Sequence, residues 1–440
     1  MKPQFLISSI GPGNGKTIFA MGLIHALRKR GMKVQPYKCG PEITDTQLLT
    51  LSADNEAVNL DEWITTYTHI QHTYNKYGEK ADACIIEGNG ALFDGYKRMQ
   101  GSSAEIAKLL NVPVVLLVNA RMAGYSIASI IYGFKHFHPQ VKIVGVVFNQ
   151  ITSSAHYSYL KEACFDAGVD CLGYLPYNAE FKLPSKHSSI TLTTKRTMDT
   201  QINLIADDIE KNVNINRLLM NCNRNFPCQY TLPYSSDIEA ETVIPTSQQI
   251  KIAIARDPAF NFIYKENIAR LSIYGKISYF SPVYGSDLPE ADLIYLPGGY
   301  PELFARQLHR RHKLKNALKE YAEKGGKILA ECGGMAFLGR SITAKEGGTS
   351  YEMCNILPLD FTINSKLNSG YRKMTYNGVE LRGYEFHYSA TNNAENSLIA
   401  TQATNIKGTN VDLPLYRYKN IIASFGHWYW GDKDILDLWK

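Results

Sequence analysis

Residues 6–22, LISSIGPGNGKTIFAMG, narrow the choice of fold more than any other stretch of the sequence. A short apolar run is followed by a glycine-rich turn, and a helical pattern begins directly after it. The turn contains three glycines at alternate positions and then a lysine and a threonine, namely Gly11, Gly13, Gly15, Lys16 and Thr17. A strand, a tight turn and a helix in this order bring backbone N–H groups and a helix N-terminus to one place. The stretch therefore predicts the first strand–turn–helix unit of an α/β domain.

The remainder of the first half repeats this alternation. Apolar runs occur at residues 81–88, 112–119 and 141–150, and a helical pattern, SIASIIYGFKHF, occupies residues 126–137. Short apolar runs separated by amphipathic helices are typical of a parallel sheet with helices on both faces. We therefore predict that the first half is a parallel sheet flanked by helices.

A second alternation follows a polar, turn-rich stretch at residues 221–249. Its strand patterns are IKIAIARD, KISYFSP, ADLIYLPGG and KILAECGG, and its clearest helical pattern is RHKLKNALKEYAEKGG. A chain of 440 residues exceeds what one hydrophobic core usually supports. We predict two α/β domains, residues 1–220 and 250–440, joined by a linker at residues 221–249.

Composition excludes several functional classes. The net charge of +6 is spread along the chain, so no basic block indicates a nucleic-acid partner. The strongest apolar stretch, VPVVLLV, ends at Asn119 and is too short for a membrane span, and the N-terminus lacks a signal-peptide pattern. Eight cysteines without a C-x-x-C pair favour reduced thiols. We expect a cytoplasmic protein that acts on small molecules; its oligomeric state stays open, with a homodimer as one option.

The glycine-rich turn departs from the common phosphate-loop spacing. G-x-x-x-x-G-K-T would place a glycine where this chain has Ile10. A phosphate site needs a strand end, inward-facing N–H groups and a helix N-terminus, and it does not need every glycine of the motif. The lysine places an ammonium near the terminal phosphates, and the threonine hydroxyl can hold Mg²⁺. We interpret the turn as a nucleotide site; a purely structural glycine turn is the alternative.

Acidic residues follow two of the predicted strands. Glu42 and Asp45 come after the strand that ends near Lys38, whereas Glu87 ends another strand and Asp94 lies in the loop beyond it. A carboxylate at a strand end beside a phosphate loop is the usual second partner of Mg²⁺. Each acid is equally well explained as a cap or turn residue. Lys38 is either an anion contact or a solvated strand end.

A second candidate site lies around Cys332. The stretch ILAECGGMAFLG places this cysteine between a strand and a helix, an arrangement that exposes the thiol and lets the helix N-terminus lower its pKa. Backbone N–H groups at Gly298 and Gly299 are candidates for an oxyanion hole. His427 is the candidate base, and His387 is a weaker candidate. A buried structural cysteine and ordinary histidines are the alternatives.

Both halves resemble one known family. ARDPAFNFIYKEN, LPGGYPELFA, AECGGMAFLG and GYEFHYS are similar to the class I-like glutamine amidotransferase half of cobyrinate a,c-diamide synthases. VQPYKCGPEITD, NLDEW, EGNGALFDG, GVVFNQ and GYLP resemble the other half of these enzymes, which is related to dethiobiotin synthetase. The resemblance covers nearly the whole chain in the family's order.

The resemblance implies a chemistry for each half. ATP phosphorylates a carboxylate of a corrin side chain, and ammonia released from glutamine displaces the phosphate; side chains c and a are amidated in turn. The implied ATP-binding residues are Gly11, Gly13, Asn14, Gly15, Lys16, Thr17 and Asn149. The implied Mg²⁺ ligands are Thr17, Glu42, Asp45 and Glu87, and the implied substrate contacts are Lys38, Asp45 and Asp94. Cys332 would form a thioester, His427 would carry the proton, and Gly298, Gly299 and Gly333 would line the glutamine site.

Three departures from the family pattern keep alternatives open. GPEITDT replaces G-P-D-Y-I-D-P, LPSKHSSI replaces L-P-E-R-H-L-G-L, and Tyr429 replaces the second histidine of H-x-H. No carboxylate follows His427 to orient it, which implies a two-residue Cys–His pair. The chain is therefore also compatible with an a,c-diamide synthase for hydrogenobyrinate or nickel-sirohydrochlorin, or with a cobyric acid synthase. A nucleotide-dependent regulator with a silent glutaminase fold is the alternative from another functional class.

Overall fold

The computed structural model describes residues 1–181, 192–229, 249–285, 287–345, 347–392 and 398–440. These residues form two compact units, one containing residues 1–181 and 192–229 and the other containing the described residues from 249 onward. Within the stretch expected to be a linker, residues 221–229 pack with the first unit, and residues 230–248 lie outside the described ranges. The proposed boundaries stay a prediction.

The first unit is built on a parallel sheet, as the sequence predicts. Its parallel strands are β1 (Lys2–Ser9), β2 (Val34–Cys39), β3 (Val58–Leu60), β4 (Ala83–Glu87), β5 (Val114–Asn119), β6 (Ile143–Ile151) and β7 (Cys171–Pro176). Their order across the sheet is β3-β2-β4-β1-β5-β6-β7, and the short strand β8 (Asn223–Arg224) pairs antiparallel with the start of β1. Strand β1 lies between β4 and β5, and the chain connections from neighbouring strands run to opposite sides of the sheet at this position. Parallel α/β sheets bind ligands at such a position, and the turn that follows β1 lies there.

Helices connect and cover these strands. They are α1 (Lys16–Lys29), α2 (Ile43–Ala53), α3 (Tyr67–Gly78), α4 (Ser103–Leu110), α5 (Ile127–His136), α6 (Ser154–Asp166), α7 (Leu192–Asn212) and α8 (Ile215–Asn221). The sequence pattern fades after β7 and does not indicate α7, which packs against α1. A side chain at Gly22 of α1 would lie 2.8 Å from the Ile209 Cδ1 atom and would overlap Ile205. The glycine therefore lets the two helices approach closely.

The second unit joins a parallel region to an antiparallel one. The strands before the thiol turn are β9 (Ile250–Ala255), β10 (Gly275–Phe280), β11 (Leu293–Leu296) and β12 (Lys327–Glu331). After it come β13 (Ser341–Thr343), β14 (Ser350–Glu352), β15 (Asp360–Tyr376), β16 (Val379–Asn392), β17 (Ile399–Asn405), β18 (Asn410–Tyr418), β19 (Ile421–Ser424) and β20 (Gly426–Tyr429). The order β10-β9-β11-β12-β19 is parallel, and β18, β17 and β15 continue the sheet from β19 through antiparallel pairs.

Four α-helices of the second unit lie among its described residues: α9 (Lys265–Tyr274), α10 (Ala305–His309), α11 (His312–Glu323) and α12 (Gly333–Leu338). The long strands β15 and β16 form a hairpin whose turn residues, Asn377 and Gly378, have φ values of 48° and 76°. Asn-Gly is favoured in such a turn because both positions need a positive φ. Strand β16 also pairs with β20, which brings Tyr384 opposite His427.

Among the described residues, no helix combines the length and apolar character that a membrane crossing requires.

Candidate active sites

The glycine-rich turn between β1 and α1 has the backbone of a compact loop. Gly13 and Gly15 have φ values of 71° and 89°, a region that favours glycine. A side chain at Gly15 would also overlap Nδ2 of Asn149. Ile10 is not among the described residues with a positive φ, so the glycine missing from the common spacing is not required for this backbone.

Lys16 reaches back across this loop. Its Nζ atom donates to the Ser9 hydroxyl at 3.0 Å and to the carbonyl of Gly90 at 2.6 Å. Burial, together with the nearby charge of Lys38, lowers the pKa of Lys16. The ammonium therefore lies between the loop and the segment that follows β4, where an anion would relieve the unfavourable burial.

Asn14 and Asn149 stabilise the loop. The Asn14 amide donates to the carbonyl of Gly11 at 2.5 Å, and the carbonyl of Asn14 accepts a hydrogen bond of 2.8 Å from Nδ2 of Asn149. Asn149 lies at the end of β6, so this contact connects the neighbouring strand to the loop. The sequence resemblance implies that Asn149 contacts the nucleotide base. In this structure its side-chain amide donates a hydrogen bond to the backbone of the loop.

A buried cluster of charged residues adjoins the start of α1. The Thr17 hydroxyl donates to Oε1 of Glu87 at 2.6 Å, and Lys38 contacts the same oxygen at 3.2 Å and Asp45 at 2.8 Å. Oε2 of Glu87 is buried without a hydrogen-bond partner among the described residues. Burial raises the pKa of Glu87. One carboxylate oxygen is thus available to a cation beside the Thr17 hydroxyl.

Lys38 is not the solvated strand end that the sequence allowed. Its side chain is 2% exposed and paired with two carboxylates. Burial alone would lower the pKa of Lys38, but the negative charges of Asp45 and Glu87 outweigh it and raise this pKa. A buried ammonium keeps its charge when such partners stabilise it.

The other two predicted acids lie at the margin of this cluster. Glu42 directly precedes α2, and its carbonyl accepts a hydrogen bond of 3.1 Å from the Asn59 amide. Asp94 is exposed in the loop after β4, and its Cβ atom would lie 4.0 Å from the Cβ atom of a side chain placed at Gly90. Asp94 is therefore adjacent to the carbonyl that Lys16 contacts, but it is outside the buried cluster.

The residues present fit a magnesium-nucleotide complex. The described residues contain no group of three or more His, Cys, Asp or Glu side chains arranged around one metal position. Mg²⁺ bound with nucleotide needs few protein ligands, because phosphate oxygens and waters complete its octahedron. The Thr17 hydroxyl and the unpartnered oxygen of Glu87 would supply the protein ligands, with Asp45 next to them.

In the second unit, Cys332 occupies a strained turn between β12 and α12. Its φ and ψ values are 43° and −103°, and its N–H donates to the carbonyl of Ser424 at 2.7 Å. A non-glycine residue with a positive φ is uncommon and occurs at functional turns. The strand–turn–helix geometry agrees with the prediction for a nucleophilic cysteine.

Two expectations about this thiol are wrong. Cys332 is only 5% exposed, whereas the sequence predicted an exposed thiol. Burial raises the pKa of Cys332, and the nearby carboxylate of Glu302 adds to this effect, whereas the sequence predicted a lowered pKa. The physical reason is that loss of solvent destabilises the thiolate more than the short helix α12 stabilises it. The thiol of Cys332 is therefore protonated in this structure.

His427 lies beside Cys332 with Gly298 between them. A side chain on Gly298 would be 2.6 Å from Nδ1 of His427 and 3.4 Å from Cβ of Cys332. Both ring nitrogens of His427 are buried, and neither makes a hydrogen bond of good geometry to a described residue, although a weak contact with the backbone of Phe386 opposes the fall in its pKa. Burial lowers the pKa of His427 to about 4. The site therefore contains a neutral imidazole available to accept a proton from the neighbouring thiol.

The predicted oxyanion-hole segment packs tightly against the turn. Gly299 has a φ of 150°, and a side chain there would overlap the backbone of Ala259. A side chain on Gly333 would lie 2.7 Å from Pro301 and 3.0 Å from the carbonyl of Gly299. Glycine is therefore required at position 299 for the approach of the backbone at Ala259, and at position 333 for the approach of the Gly299–Pro301 segment.

A narrow cleft leads to the thiol. Its lining includes Tyr300, Glu302, Cys332, Phe386, His387 and Tyr388. The volume that the centre of a water-sized sphere can occupy in this cleft is about 10 Å³, which is room for about one water molecule.

His387 does not have the geometry of a catalytic base. Its Nε2 atom lies 2.7 Å from Oε1 of Glu385, and its Nδ1 atom lies 2.7 Å from the carbonyl of Ser389. Both nitrogens are engaged with acceptors, so neither is available to take a proton. His427 alone retains that capacity among the two predicted histidines.

Sequence reasoning missed the carboxylates around this site. Glu302 follows the double glycine by three residues, and Glu331 immediately precedes the cysteine. Glu331 is buried and accepts hydrogen bonds from the Trp428 N–H at 3.1 Å and from the Tyr295 hydroxyl at 2.8 Å. Burial raises the pKa of Glu331 to about 8. Because Trp428 follows His427, this contact fixes the strand that carries the imidazole.

Two family models match the two halves of the chain. Residues 5–190 match the CobQ/CobB/MinD/ParA nucleotide binding domain, and residues 251–435 match the CobB/CobQ-like glutamine amidotransferase domain. A cobyrinate a,c-diamide synthase of Dehalococcoides mccartyi is 35% identical, with 98% of this chain and 95% of that protein covered. The chain belongs to the cobyrinate a,c-diamide synthase family. This family consists of glutamine-dependent amide ligases, so the nucleotide loop and the thiol turn belong to one enzyme.

Further relatives with the same name span bacteria and archaea. The protein of Listeria monocytogenes serotype 4b is 34% identical over 89% of this chain and 88% of its own length. The protein of Sulfurisphaera tokodaii is 33% identical, with 97% of both chains covered. Among solved structures, chloroplast FtsY from Physcomitrella patens has a TM-score of 0.32 and 13% identity over 45% of this chain, which is too low to support an argument.

Proposed function

We propose that this protein amidates the a and c side-chain carboxylates of cobyrinate in cobalamin biosynthesis, with glutamine as the nitrogen donor and ATP as the activating nucleotide. The main support is that a buried imidazole without a hydrogen bond of good geometry, His427, lies beside Cys332 on a strained turn. The relatives named cobyrinate a,c-diamide synthase supply the choice of substrate. We assign amide synthesis to residues 1–220 and ammonia release to residues 250–440.

In the first unit, the loop residues would hold the phosphates of ATP. The backbone N–H groups around Gly13 and Gly15, the Lys16 ammonium and the N-terminus of α1 provide positive potential for them. Bound Mg²⁺ would neutralise phosphate charge as the γ-phosphoryl group moves to the substrate carboxylate and forms an acyl phosphate. Thr17 and Glu87 would hold this ion.

The substrate carboxylate would approach the same edge of the sheet. Lys38 is held between Asp45 and Glu87, so its charge is balanced before substrate binds. Movement of Asp45 toward the metal would leave the Lys38 ammonium to pair with an anionic substrate. Asp94, in the exposed loop, would contact substrate rather than metal.

In the second unit, Cys332 would attack the side-chain amide of glutamine. His427 would take the thiol proton and pass it to the leaving ammonia, which leaves a γ-glutamyl thioester on the sulfur. Backbone N–H groups at Gly299 and Gly333 would stabilise the oxyanion. Hydrolysis of the thioester releases glutamate and restores the thiol, and the ammonia displaces phosphate from the acyl phosphate.

Cys332→Ala separates the two half-reactions. We expect glutamine-dependent product to fall by about 1,000-fold or more, because the nucleophile is lost. Synthesis with ammonium salts should continue, because only the ammonia source is removed. Cys354→Ala is the matched control, since Cys354 is another buried thiol of the second unit. A folded, ATP-binding Cys332→Ala protein that also fails with ammonium would contradict this division of labour.

The choice of macrocycle is tested by direct comparison. Cobyrinate, hydrogenobyrinate and nickel-sirohydrochlorin are supplied separately with ATP, Mg²⁺ and glutamine, and amidation is followed by mass spectrometry. We expect two additions to cobyrinate, each with the mass change of a carboxylate converted to an amide. Faster amidation of another macrocycle would overturn the assigned substrate, and ATP binding without glutamine hydrolysis would favour a regulator. The segment LPSKHSSI, which departs from the family pattern, lies outside the described residues.

A further inference from the structure

Strand β20, which carries His427, is paired with another strand on one edge. It pairs antiparallel with β16, and no other described strand pairs with it. In an antiparallel pair, the N–H and C=O groups of alternate residues point away from the partner strand. Trp428 is such a residue, because its N–H and its carbonyl are both bound by side chains outside β16. The place of the imidazole therefore depends on what holds this outer edge of β20.

Two buried side chains bind the outer edge where a second strand would lie. Oε1 of Glu331 accepts a hydrogen bond of 3.1 Å from the Trp428 N–H. Nδ2 of Asn267 donates to the Trp428 carbonyl at 2.8 Å, and Oδ1 of Asn267 accepts from the Trp430 N–H at 2.9 Å. Glu331 and Asn267 are 2% and 0% exposed, so water does not compete for these contacts and breaking one leaves a buried polar group unpaired.

Tyr295 joins the two side chains into one network. Its hydroxyl donates to Oε2 of Glu331 at 2.8 Å, and the phenol also contacts the Asn267 amide. Both oxygens of Glu331 and both polar atoms of the Asn267 side chain are thus bound. A buried polar network whose members are all bound is rigid, because moving one member leaves another unpaired.

This network connects the thiol turn to the strand of the imidazole. Glu331 ends β12 and directly precedes Cys332. Trp428 directly follows His427 on β20. Strands β12 and β20 do not pair with each other, so the carboxyl group of Glu331 supplies a direct hydrogen bond between them. A shift of β20 away from β12 breaks this bond and separates the imidazole from the thiol.

The ring of His427 has no comparable hold of its own. Neither ring nitrogen makes a hydrogen bond of good geometry to a described residue, and the ring packs against Phe262 with centroids 5.3 Å apart. In three-membered sites a carboxylate binds the imidazole and fixes its orientation. Among the described residues no carboxylate does this for His427. Its position is therefore set by packing and by the main chain of β20.

We propose that Glu331 and Asn267 are positioning residues that hold the main chain of β20 and thereby keep His427 against Cys332. Through the backbone they perform the task that a carboxylate on the ring performs in three-membered sites. The inference rests on the proposed glutaminase function and adds two residues to its machinery.

The role of Glu331 does not require a negative charge. Burial raises the pKa of Glu331 to about 8, so the carboxyl group is mostly protonated at neutral pH, and a neutral carboxyl oxygen still accepts the Trp428 N–H. An ionised Glu331 would raise the pKa of Cys332 and oppose its attack on an amide. A neutral acceptor of the same length should therefore replace Glu331.

Two variants of equal length test this requirement. Glu331→Gln keeps an acceptor for the Trp428 N–H, whereas Glu331→Met removes it. The kcat and KM of glutamine hydrolysis are measured as release of glutamate. We expect kcat within about 3-fold of the wild-type value for Glu331→Gln and a fall of about 100-fold for Glu331→Met, the cost of misplacing a catalytic group by about 1 Å. The KM should change less than about 3-fold, because substrate contacts remain. Asn267→Leu should resemble Glu331→Met.

A double-variant cycle with His427→Gln shows whether Glu331 acts through the imidazole. In the His427→Gln protein, adding Glu331→Met should lower the residual kcat by less than about 3-fold, because a positioning residue has no effect once the group it positions is gone. Leu318→Ala is the control for loss of stability, since Leu318 is buried in α11. It should lower the urea midpoint and leave kcat unchanged.

Several results would overturn the inference. Equal losses of kcat in Glu331→Gln and Glu331→Met would mean that the charge matters, and a further 100-fold loss in the His427→Gln background would mean that Glu331 acts elsewhere. Undiminished kcat in folded Glu331→Met and Asn267→Leu proteins would exclude both residues. If Glu331→Met does not fold, Asn267→Leu carries the same test. Wild-type protein that releases no glutamate from glutamine would instead refute the proposed glutaminase function.

Discussion

The Thr17 hydroxyl donates a hydrogen bond of 2.6 Å to Oε1 of Glu87 and so joins the start of α1 to the end of β4. The second oxygen of Glu87 is buried without a hydrogen-bond partner among the described residues. Leaving a carboxylate oxygen in this condition costs free energy. A bound cation beside Thr17 would remove the cost, and we therefore propose that this pair couples metal and nucleotide binding.

We therefore expect Glu87→Gln and Thr17→Val to weaken the binding of MgATP by about 10-fold to 100-fold, corresponding to the loss of one charge-assisted contact. Thr17→Ser, which keeps the hydroxyl, should bind within a few-fold of the wild-type protein. Isothermal titration calorimetry of ATP with and without Mg²⁺ measures the effect. If Glu87→Gln bound MgATP as tightly as the wild-type protein does, Glu87 would not be a ligand of the ion.

Lys38→Met tests the buried charge cluster. The substitution leaves Asp45 and Glu87 without their common cation, and removing one partner of a buried ion pair typically costs about 3–5 kcal/mol. Urea unfolding should show this loss, and the double variant Lys38→Met/Asp45→Asn should recover part of it.

The exposed pair Lys29–Asp207 is the control for Lys38→Met. Its side chains are 44% and 62% exposed, so Lys29→Met should change the free energy of unfolding by less than about 1 kcal/mol. Equal effects of the two substitutions would mean that the cluster around Lys38 is solvated in solution.

Local sequence patterns predicted most of the architecture that positions the sites. The runs QFLISSI, ADACIIEG and VPVVLLV become β1, β4 and β5, because continuous apolar runs favour strands covered on both faces. Helix α7 was missed although its buried apolar residues, Met198, Ile202, Ile205, Ala206 and Ile209, recur at helical spacing. What the sequence could not show is its partner, because α7 packs against α1, where Gly22 admits Ile205 and Ile209.

The sequence indicated candidate site residues by type and place, but it gave the wrong direction for the pKa of Cys332. Turn geometry located Cys332, whereas its raised pKa depends on how deeply the surrounding strands bury it. The contacts of His387 with Glu385 and with the carbonyl of Ser389 likewise depend on the assembled fold, because no motif specifies either partner. Burial and hydrogen bonding, which determine pKa values, arise from the assembled fold.

Gly298→Ala tests the contact between the thiol and the imidazole. The added methyl group would lie 2.6 Å from Nδ1 of His427, so the ring must move away from Cys332. We expect glutamine hydrolysis to fall by about 100-fold or more, while ammonia-dependent synthesis continues, because misplacement of about 1 Å costs this much.

Gly133→Ala is a suitable comparison for Gly298→Ala. A side chain at Gly133 has no heavy atom within 4 Å, so this substitution should leave glutamine hydrolysis unchanged. Both reactions are measured on each variant as release of glutamate and formation of amide. Undiminished hydrolysis in Gly298→Ala would show that the imidazole is not needed at its observed position.

Burial lowers the pKa of His427 from its ordinary value of 6.5 to about 4, which predicts a pH dependence of stability. Between these values the unfolded chain binds a proton that the folded protein does not, so stability is fully present above about pH 6.5 and is lost as the pH falls toward 4. The full loss amounts to about 3 kcal/mol.

Three of the four tryptophans, Trp428, Trp430 and Trp439, are in the second unit, so their fluorescence during urea unfolding reports on this region. His427→Gln should lose about 2–3 kcal/mol less than the wild-type protein between pH 7.5 and 4.5, whereas His312→Gln, at an exposed position, should follow the wild-type protein. Identical losses in the wild-type and His427→Gln proteins would mean that the imidazole is solvated and titrates normally.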